Sequence, residues 1–344
     1  MKGAAMNTMN TMNIMNTMNS IANKGTNRGK RTGRNVKSIA PSTRGRAKPY
    51  DPSVRLYIDA ALADNTRRGY QSDLKQFAAW GGVIPATAES VATYVAQNAL
   101  LLSSATLSRR VVAISHAHTT RGLPSPAHSE MVKATLRGIR RKRGHRPRQV
   151  AALQKNDVVR VVKSLQGLRG LRDKAMLLFG FAGAFRRSEL VALDVEDIEF
   201  GNQGAMVRLR RSKTDQEGRG RVIAIPYVRG RNCPCHALQS WLAAAEIESG
   251  ALFRRVNRFD QVLPDRLSAQ SVALVIKERV AAVGLNPTLY SGHSLRAGFA
   301  TSAAMSGVSS SSIRAQTGHT SDAMLAKYIR STQLFVDNPL GRIW

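Results

Sequence analysis

Four separated segments in the second half of the chain carry cationic and hydrogen-bonding side chains, and one also carries a phenol. A free phenol has a pKa near 10 and is only about 0.1% ionised at neutral pH, so attack by it requires cations and a proton acceptor nearby. Each segment alone is weak evidence, because an arginine is usually a surface charge and a helical tyrosine usually belongs to a core. In chain order they are Arg186-Arg187-Ser188-Glu189-Leu190, Lys213, His293-Ser294-Leu295-Arg296, and Gly318-His319 with Tyr328 nine residues later.

The order and spacing of the four segments together resemble the tyrosine recombinase, or phage integrase, family. The resemblance covers residues 50–330 and implies metal-free DNA strand exchange through a 3′-phosphotyrosine intermediate, without ATP or another cofactor. It also implies two domains that close on the DNA duplex as a C-shaped clamp. By motif position, the catalytic residues implied are Arg186, Lys213, His293, Arg296, His319 and Tyr328, with Glu189 as the supporting carboxylate.

The roles that the resemblance implies agree with physical chemistry. Charge grows on the non-bridging oxygens of a phosphodiester under attack, and Arg186 and Arg296 can hold them by paired, charge-assisted hydrogen bonds. Tyr328 is the attacking residue, and His293 accepts or orients its proton. The remaining roles are protonation of the leaving 5′-oxygen by Lys213, positioning of a cationic or histidine neighbour by Glu189, and donation to a non-bridging oxygen by His319.

Two details of the motifs concern which arginine binds the phosphate and how the residues around the site pack. Arg187 adjoins Arg186, and only the Arg-x-Ser-Glu-Leu register selects Arg186 as the phosphate ligand. The chain also departs from the family pattern at Ala184-Phe185, at Ala297 and at Thr317, where Gly-Leu, a second His and Leu are common. We expect these departures to alter packing around the site and not its reacting groups.

The elements that must position these side chains belong to a mainly α fold. Apolar spacing predicts helices from Asn65 to Trp80, after Thr87, from Ser104 or Thr106, and over about 129–140. This set resembles the family's helical core-binding (SAM-like) domain, assigned to residues 50–145. Residues 150–344 are assigned to a mixed α+β catalytic domain.

The catalytic domain is predicted to combine helices with a small antiparallel sheet. Strands are expected over 205–211 and 221–226, joined by a polar turn over 212–220, as a hairpin or a three-stranded edge. The first predicted helix is capped by Asn156 or Asp157 and runs to about Leu165. Further helices are predicted over 171–185, Pro234 through Leu242, 268–283, 294–306, 310–317 and 321–329.

The charge of the chain indicates a polyanionic partner. Among 344 residues, 52 Lys and Arg oppose 22 Asp and Glu, a formal net charge of +30. Double-stranded DNA fits this balance. No apolar run approaches the roughly 20 residues that span a bilayer, so no membrane partner is expected. We predict a bacterial cytoplasmic protein associated with the nucleoid.

The two cysteines, Cys233 and Cys235, are too close in sequence for an ordinary disulfide, which favours a reducing compartment. No second ligand pair accompanies Cys233-Pro-Cys235-His236, so no metal site is predicted.

Residues 1–49 are predicted to be a disordered basic arm, because Met6 to Ser20 is a Met-Asn-x repeat and no acidic residue occurs before Asp51. The arm either tracks phosphates, or is a solubilising tail or the product of a start site placed too far upstream. A second basic run, residues 137–148, is interpreted as an exposed linker that contacts phosphate or is merely solvated. The DNA-binding candidates are Arg67, Arg68, Lys75, Arg109, Arg140, Arg141, Lys142, Arg143, Arg146 and Arg148.

Two other activities remain open from the sequence. A type IB topoisomerase would use the same chemistry, and a catalytically silent integrase relative would only bind DNA. The family implies a homo-tetramer on paired recombination sites. The apolar tail after Tyr328 either folds back on its own domain or docks into a neighbour. The target site, and the choice among integration, excision, resolution and transposition, cannot be named from the residues.

Deletion of residues 24–48 tests the basic arm. If the arm neutralises phosphates, affinity should fall uniformly across DNA sequences. The slope of log K against log salt should flatten by about 0.9 for each phosphate that the arm no longer neutralises. Titration of duplex DNA at several salt concentrations measures this slope, and an unchanged slope returns the arm to a solubilising role.

Overall fold

The computed structural model describes residues 51, 53, 56–57, 61–144, 150–210, 220–319, 321–323, 325–326 and 343. They form two compact units, one ending at Gly144 and the other starting at Val150. The predicted arm, the linker positions Arg146 and Arg148, Lys213, Tyr328 and nearly all of the tail lie outside the described residues. None of the helices in the described part is long and apolar enough to cross a membrane.

The first unit is built from four described helices, α1 (Asp64–Ala79), α2 (Ala88–Gln97), α3 (Ser104–Thr119) and α4 (Glu130–Arg143). Three of them start at a hydroxyl residue whose oxygen accepts a backbone N–H of the first turn: Thr87, Ser103 and Ser129. Such caps satisfy donors that have no partner inside the helix. The helices enclose one core that includes Phe77, Tyr94, Leu107, Val111, Ile114 and Leu136.

Two boundaries in this unit differ from the prediction. Helix α1 begins at Asp64, so Asn65 lies inside it and does not cap it. Helix α4 continues to Arg143 before Gly144 ends it with a φ of 64°. The first part of the basic run is therefore helical and not linker, because Leu136 and Ile139 still pack on the core and extend the amphipathic pattern.

The second unit combines helices with two small antiparallel sheets. Its helices are α5 (Lys155–Val162), α6 (Gly167–Ala182), α7 (Arg187–Ala192), α8 (Pro234–Ala244), α9 (Ala269–Ala282), α10 (Ser294–Met305) and α11 (Ser310–Thr317). Strands β1 (Ile198–Gly201), β2 (Gly204–Leu209) and β3 (Arg221–Pro226) form one sheet in that order. Strands β4 (Arg254–Val256) and β5 (Val262–Arg266) form a separate pair that the sequence did not predict.

The apolar helix α6 lies at the centre of this unit. Met176, Leu177 and Phe179 are fully buried beside Trp241 of α8, whose indole N–H donates to the carbonyl of Leu252 at 2.9 Å. The inward face of the sheet adds Val207, paired with Ile223 across β2 and β3. Helix α6 begins at Gly167, before the predicted start at Leu171. It ends at Ala182 and not at residue 185, because the chain bends at Gly183 and Ala184.

Helix α10 is held close to the chain that enters the second unit. The Leu153 amide donates to the Ser294 carbonyl at 3.0 Å. A Cβ built on Gly298 would lie 1.8 Å from the Leu153 carbonyl oxygen. Only a glycine permits this close approach, which fixes the position of the helix that carries Arg296.

We expect Gly298→Ala to destabilise the second unit by about 1–3 kcal/mol, the usual cost of overpacking, because backbone must move. Gly138→Ala in α4 is the matched control, since a Cβ there meets nothing within 4 Å. The control should stabilise by about 1 kcal/mol or less through helix propensity. Chemical denaturation of the full chain measures both, and equal effects would contradict the packing argument.

Candidate active site

The bend between α6 and α7 places Arg186 beside a buried carboxylate. Ala184, at the bend, is buried with a φ of 49°, and Arg186 then occupies the N-cap of α7. The Arg186 amide donates to Glu189 Oε2 at 2.9 Å, and its guanidinium Nη1 donates to Oε1 at 2.5 Å. Glu189 thus contacts both the backbone and the side chain of Arg186.

The two adjacent arginines lie in different surroundings. Arg186 is half-buried beside the Glu189 carboxylate, whereas Arg187 is exposed and its aliphatic stem covers Gly292. A Cβ on Gly292 would lie 2.6 Å from Arg187 Cδ. Arg186 therefore lies beside Glu189, and Arg187 lies over Gly292.

Helix α10 contributes His293 and Arg296 as its N-cap and third residue. The side chain of Arg296 is buried, with 1% of the residue exposed, and its Nη1 donates to the Ala184 carbonyl at 2.9 Å. The His293 amide donates to Ser291 Oγ at 3.1 Å, which orders the turn before the helix. The α6–α7 bend and the start of α10 are thus joined through one guanidinium.

His319 follows the left-handed Gly318 that ends α11. It is buried, and its Nδ1 lies 2.8 Å from Thr317 Oγ1. Burial lowers the pKa of His319 to about 4, and electrostatic interactions with Arg296, Arg186, His293 and Arg221 act in the same direction. The ring is therefore neutral at neutral pH.

Arg221 is a member of this cluster that the sequence did not single out. It is the first residue of β3, and its Nη1 donates to the Gln316 carbonyl at 3.2 Å near the end of α11. Its Nη2 lies 4.0 Å from Glu189 Oε2 and is buried without a hydrogen bond among the described residues. A signal did exist in the sequence, because Arg221 opens a predicted strand directly after the predicted turn that contains Lys213.

The structure brings together five of the predicted site residues, Arg186, Glu189, His293, Arg296 and His319, and adds Arg221. Lys213 and Tyr328 lie outside the described residues. Leu325, three residues before Tyr328, is buried against Ala300, Ala304 and Ile313 of α10 and α11. Leu325 therefore packs against the helices that carry Arg296 and lead to His319.

The DNA-binding candidates of the first unit divide into two groups. Arg109 donates to the buried Asp73 at 2.7 Å, and Arg143 donates to carbonyls of the loop after α2, including Leu102 at 2.5 Å. Both arginines therefore bond within the fold while remaining exposed. The other candidates among the described residues are exposed as well: Arg67, Arg68, Lys75, Arg140, Arg141 and Lys142.

Cys233 and Cys235 are buried free thiols. Burial raises the pKa of Cys235 to about 11, and its Sγ donates to the Ile225 carbonyl at 3.2 Å. Within the described part of the chain, no three His, Cys, Asp or Glu side chains are grouped to hold a metal.

Comparisons with known proteins agree with this arrangement. Residues 151–334 match the phage integrase family. An integrase/recombinase XerD homolog of Selenomonas ruminantium is 39% identical over 298 residues, 83% of this chain and 87% of that protein. The chain belongs to the phage integrase family. Recombinase Cre of Escherichia phage P1 is 24% identical over 299 residues, which cover 79% of this chain and 85% of that protein.

Solved structures share the fold of this tyrosine recombinase. A lambda integrase dimer bound to a COC′ core site has a TM-score of 0.56 at 18% identity, covering 80% of this chain and 74% of that one. The Tn1549 transposon integrase in complex with circular intermediate DNA has a TM-score of 0.55 at 14% identity, covering 80% of this chain and 92% of that one. The predicted mainly helical, integrase-like fold is confirmed. The topoisomerase and silent-relative alternatives gain no support from these relatives.

Arg221→Gln should loosen the end of α11, because it removes the bond to the Gln316 carbonyl and a charge beside Glu189. We expect faster amide hydrogen exchange in residues 313–319, since local opening rates follow such tethers. Arg208→Gln is the matched control, an exposed arginine of β2 beside Glu196, Asp197 and Glu199. Equal exchange in both variants would show that Arg221 does not hold this turn.

Proposed function

We propose that this protein cleaves and rejoins double-stranded DNA at a specific recombination site, with Tyr328 as the nucleophile. The observation that carries the proposal is the convergence of Arg186, Arg296, His293 and His319 from three separate segments. The guanidinium charges of Arg186 and Arg296, at a partly buried position, suit an anion that gains charge during the reaction.

The proposed step begins with the scissile phosphate between Arg186 and Arg296. Arginine can donate two parallel hydrogen bonds to phosphate oxygens, which fixes the phosphate as well as neutralising it. Arg186 Nη1 donates to Glu189, and this contact orients the guanidinium so that its other N–H groups can donate to the phosphate. Arg296 is held in the same way by the Ala184 carbonyl.

Strand cleavage transfers the phosphoryl group from the DNA 5′-oxygen to the tyrosine. The Tyr328 oxygen forms a bond to phosphorus while its proton passes to His293, and the bond from phosphorus to the 5′-oxygen breaks. Lys213 gives a proton to that leaving oxygen. The product is a 3′-phosphotyrosine and a free 5′-hydroxyl. Attack by a 5′-hydroxyl on the phosphotyrosine reverses these transfers and rejoins the strand, so no metal or ATP is needed.

Affinity for DNA is proposed to come from exposed cations on the first unit. Arg67, Arg68, Lys75, Arg140, Arg141 and Lys142 can contact phosphates, which position a protein without reading sequence. Arg146 and Arg148 are retained in this proposal. Arg109 and Arg143 are retained as well, because both are exposed although they also bond to Asp73 and to backbone carbonyls.

We further propose that the protein acts as a homo-tetramer on paired sites. We also propose that it belongs to a mobile element and works in a bacterial cytoplasm. Exchange between two duplexes requires four strand cleavages, one for each active site of four protomers. A structural relative, lambda integrase, has been solved as a tetramer bound to a Holliday junction, with a TM-score of 0.57 at 18% identity. The tail after Tyr328 is the segment available to dock in its own domain or in a neighbour.

Tyr328→Phe tests the nucleophile. With duplex DNA from the gene's flanking repeats, nicked opposite the target of Tyr328, the unaltered protein should give a covalent complex that survives a denaturing gel. Tyr328→Phe should bind the same duplex but give no complex, because only the attacking oxygen is removed. Tyr227→Phe, which removes a phenol next to β3, is the control and should retain the complex.

The same assay in EDTA separates the metal-free route from a metal-dependent one. Covalent complex should form at an unchanged rate. Complex formation by Tyr328→Phe, or a strict requirement for Mg²⁺, would overturn the proposed mechanism.

A further inference from the structure

Thr317 makes two hydrogen bonds whose donors can be assigned by counting hydrogens. Its Oγ1 lies 2.7 Å from the Ile313 carbonyl and 2.8 Å from His319 Nδ1. A carbonyl oxygen only accepts, and a hydroxyl has one hydrogen. The Thr317 hydrogen therefore goes to Ile313, and His319 Nδ1 must be the donor to Thr317. Both side chains are buried, with Thr317 0% and His319 7% exposed, so water does not substitute for either partner.

The assignment fixes the state of the imidazole. A neutral histidine carries one ring hydrogen, so a hydrogen on Nδ1 leaves Nε2 with a lone pair. Such a ring can accept a hydrogen bond at Nε2 but can donate there only after gaining a second proton. The donation to a phosphate oxygen that the sequence suggested for His319 therefore needs an imidazolium.

Charge around the ring opposes that second proton until an anion arrives. The charged and titratable groups acting on His319 come from three elements: Arg186 at the start of α7, His293 and Arg296 on α10, and Arg221 on β3. Arg314 of α11 additionally donates to the His319 carbonyl at 3.4 Å. Together with burial, the first four keep the pKa of His319 at about 4. A bound phosphate would offset the arginine charges and raise it.

We propose that Thr317 is a positioning residue that fixes His319 as the Nδ1–H tautomer, so that His319 takes up one proton at Nε2 when a phosphate binds. The step adds a proton from solvent to Nε2, makes the ring an imidazolium and breaks no other bond. This proposal deepens the proposed function and rests on it for the identity of the anion. It gives Thr317 a chemical role where the sequence predicted only an effect on packing.

The tautomer can be read directly from NMR of histidine ring nitrogens in the full-length protein without DNA. The chain has seven histidines, and His319→Gln assigns the signal of interest. At neutral pH His319 should carry its hydrogen on Nδ1. Thr317→Ser should keep that state, and Thr317→Val should shift the ring toward the Nε2–H tautomer. Thr301→Val, at another buried threonine on α10, is the matched control and should leave the tautomer unchanged.

Proton uptake is tested by titrating the same signals with inorganic sulfate as the anion. Sulfate should raise the pKa of His319 by about one unit or more, a tenfold gain in proton affinity. An Nε2–H tautomer in the unaltered protein, or no change in Thr317→Val, would overturn the role of Thr317. An unshifted pKa in sulfate would overturn the linked proton uptake. Neither readout requires DNA cleavage, so failure of the proposed recombination would appear separately, in the covalent-complex assay.

Discussion

Mutual repulsion among the cations around His319 is the constraint on which the rest of the second unit depends. Three arginines and His293 act on one buried ring, and among the described residues Glu189 is the carboxylate that contacts members of this group. Arg186 and Arg221 approach it from different elements. Taking charges out of water is costly unless they are paired. Glu189 and the backbone carbonyls that accept from Arg296 and Arg221 therefore stabilise this cluster.

Backbone carbonyl groups hold this cluster together as much as side chains do. The Ala184 carbonyl binds Arg296, and the Gln316 carbonyl binds Arg221. Gln316 in turn donates to the Ala182 carbonyl at 2.9 Å, which joins the end of α11 to the end of α6. Bends and helix ends expose such carbonyls, since the last turn of a helix leaves them without intrahelical partners. The site is therefore assembled where helices end.

Positive charge on the first unit serves two purposes that composition cannot separate. Asp73 is 3% exposed and is approached by Arg109 and Arg110, which satisfies a carboxylate that burial would otherwise destabilise. Burial raises the pKa of Asp73, and these arginines oppose that rise. Arg143 similarly closes the loop after α2. The net charge of +30 thus includes arginines that hold the fold, beside others exposed to solvent.

The amino-acid sequence by itself determined most of the fold and the family, and it supplied the candidates for the reacting residues. Periodic apolar positions and hydroxyl caps predicted the helices of the first unit, and alternating apolar residues predicted β2 and β3, because these patterns follow from local geometry. Motif spacing selected Arg186, His293, Arg296 and His319. Only the tertiary structure decided the partners of Arg221, the internal use of Arg109 and Arg143, and the hydrogen on His319 Nδ1. The reason is physical: local patterns act over a few residues. Burial, shared carboxylates and the direction of a hydroxyl hydrogen depend on groups that are distant in the chain or on the detailed end of a helix.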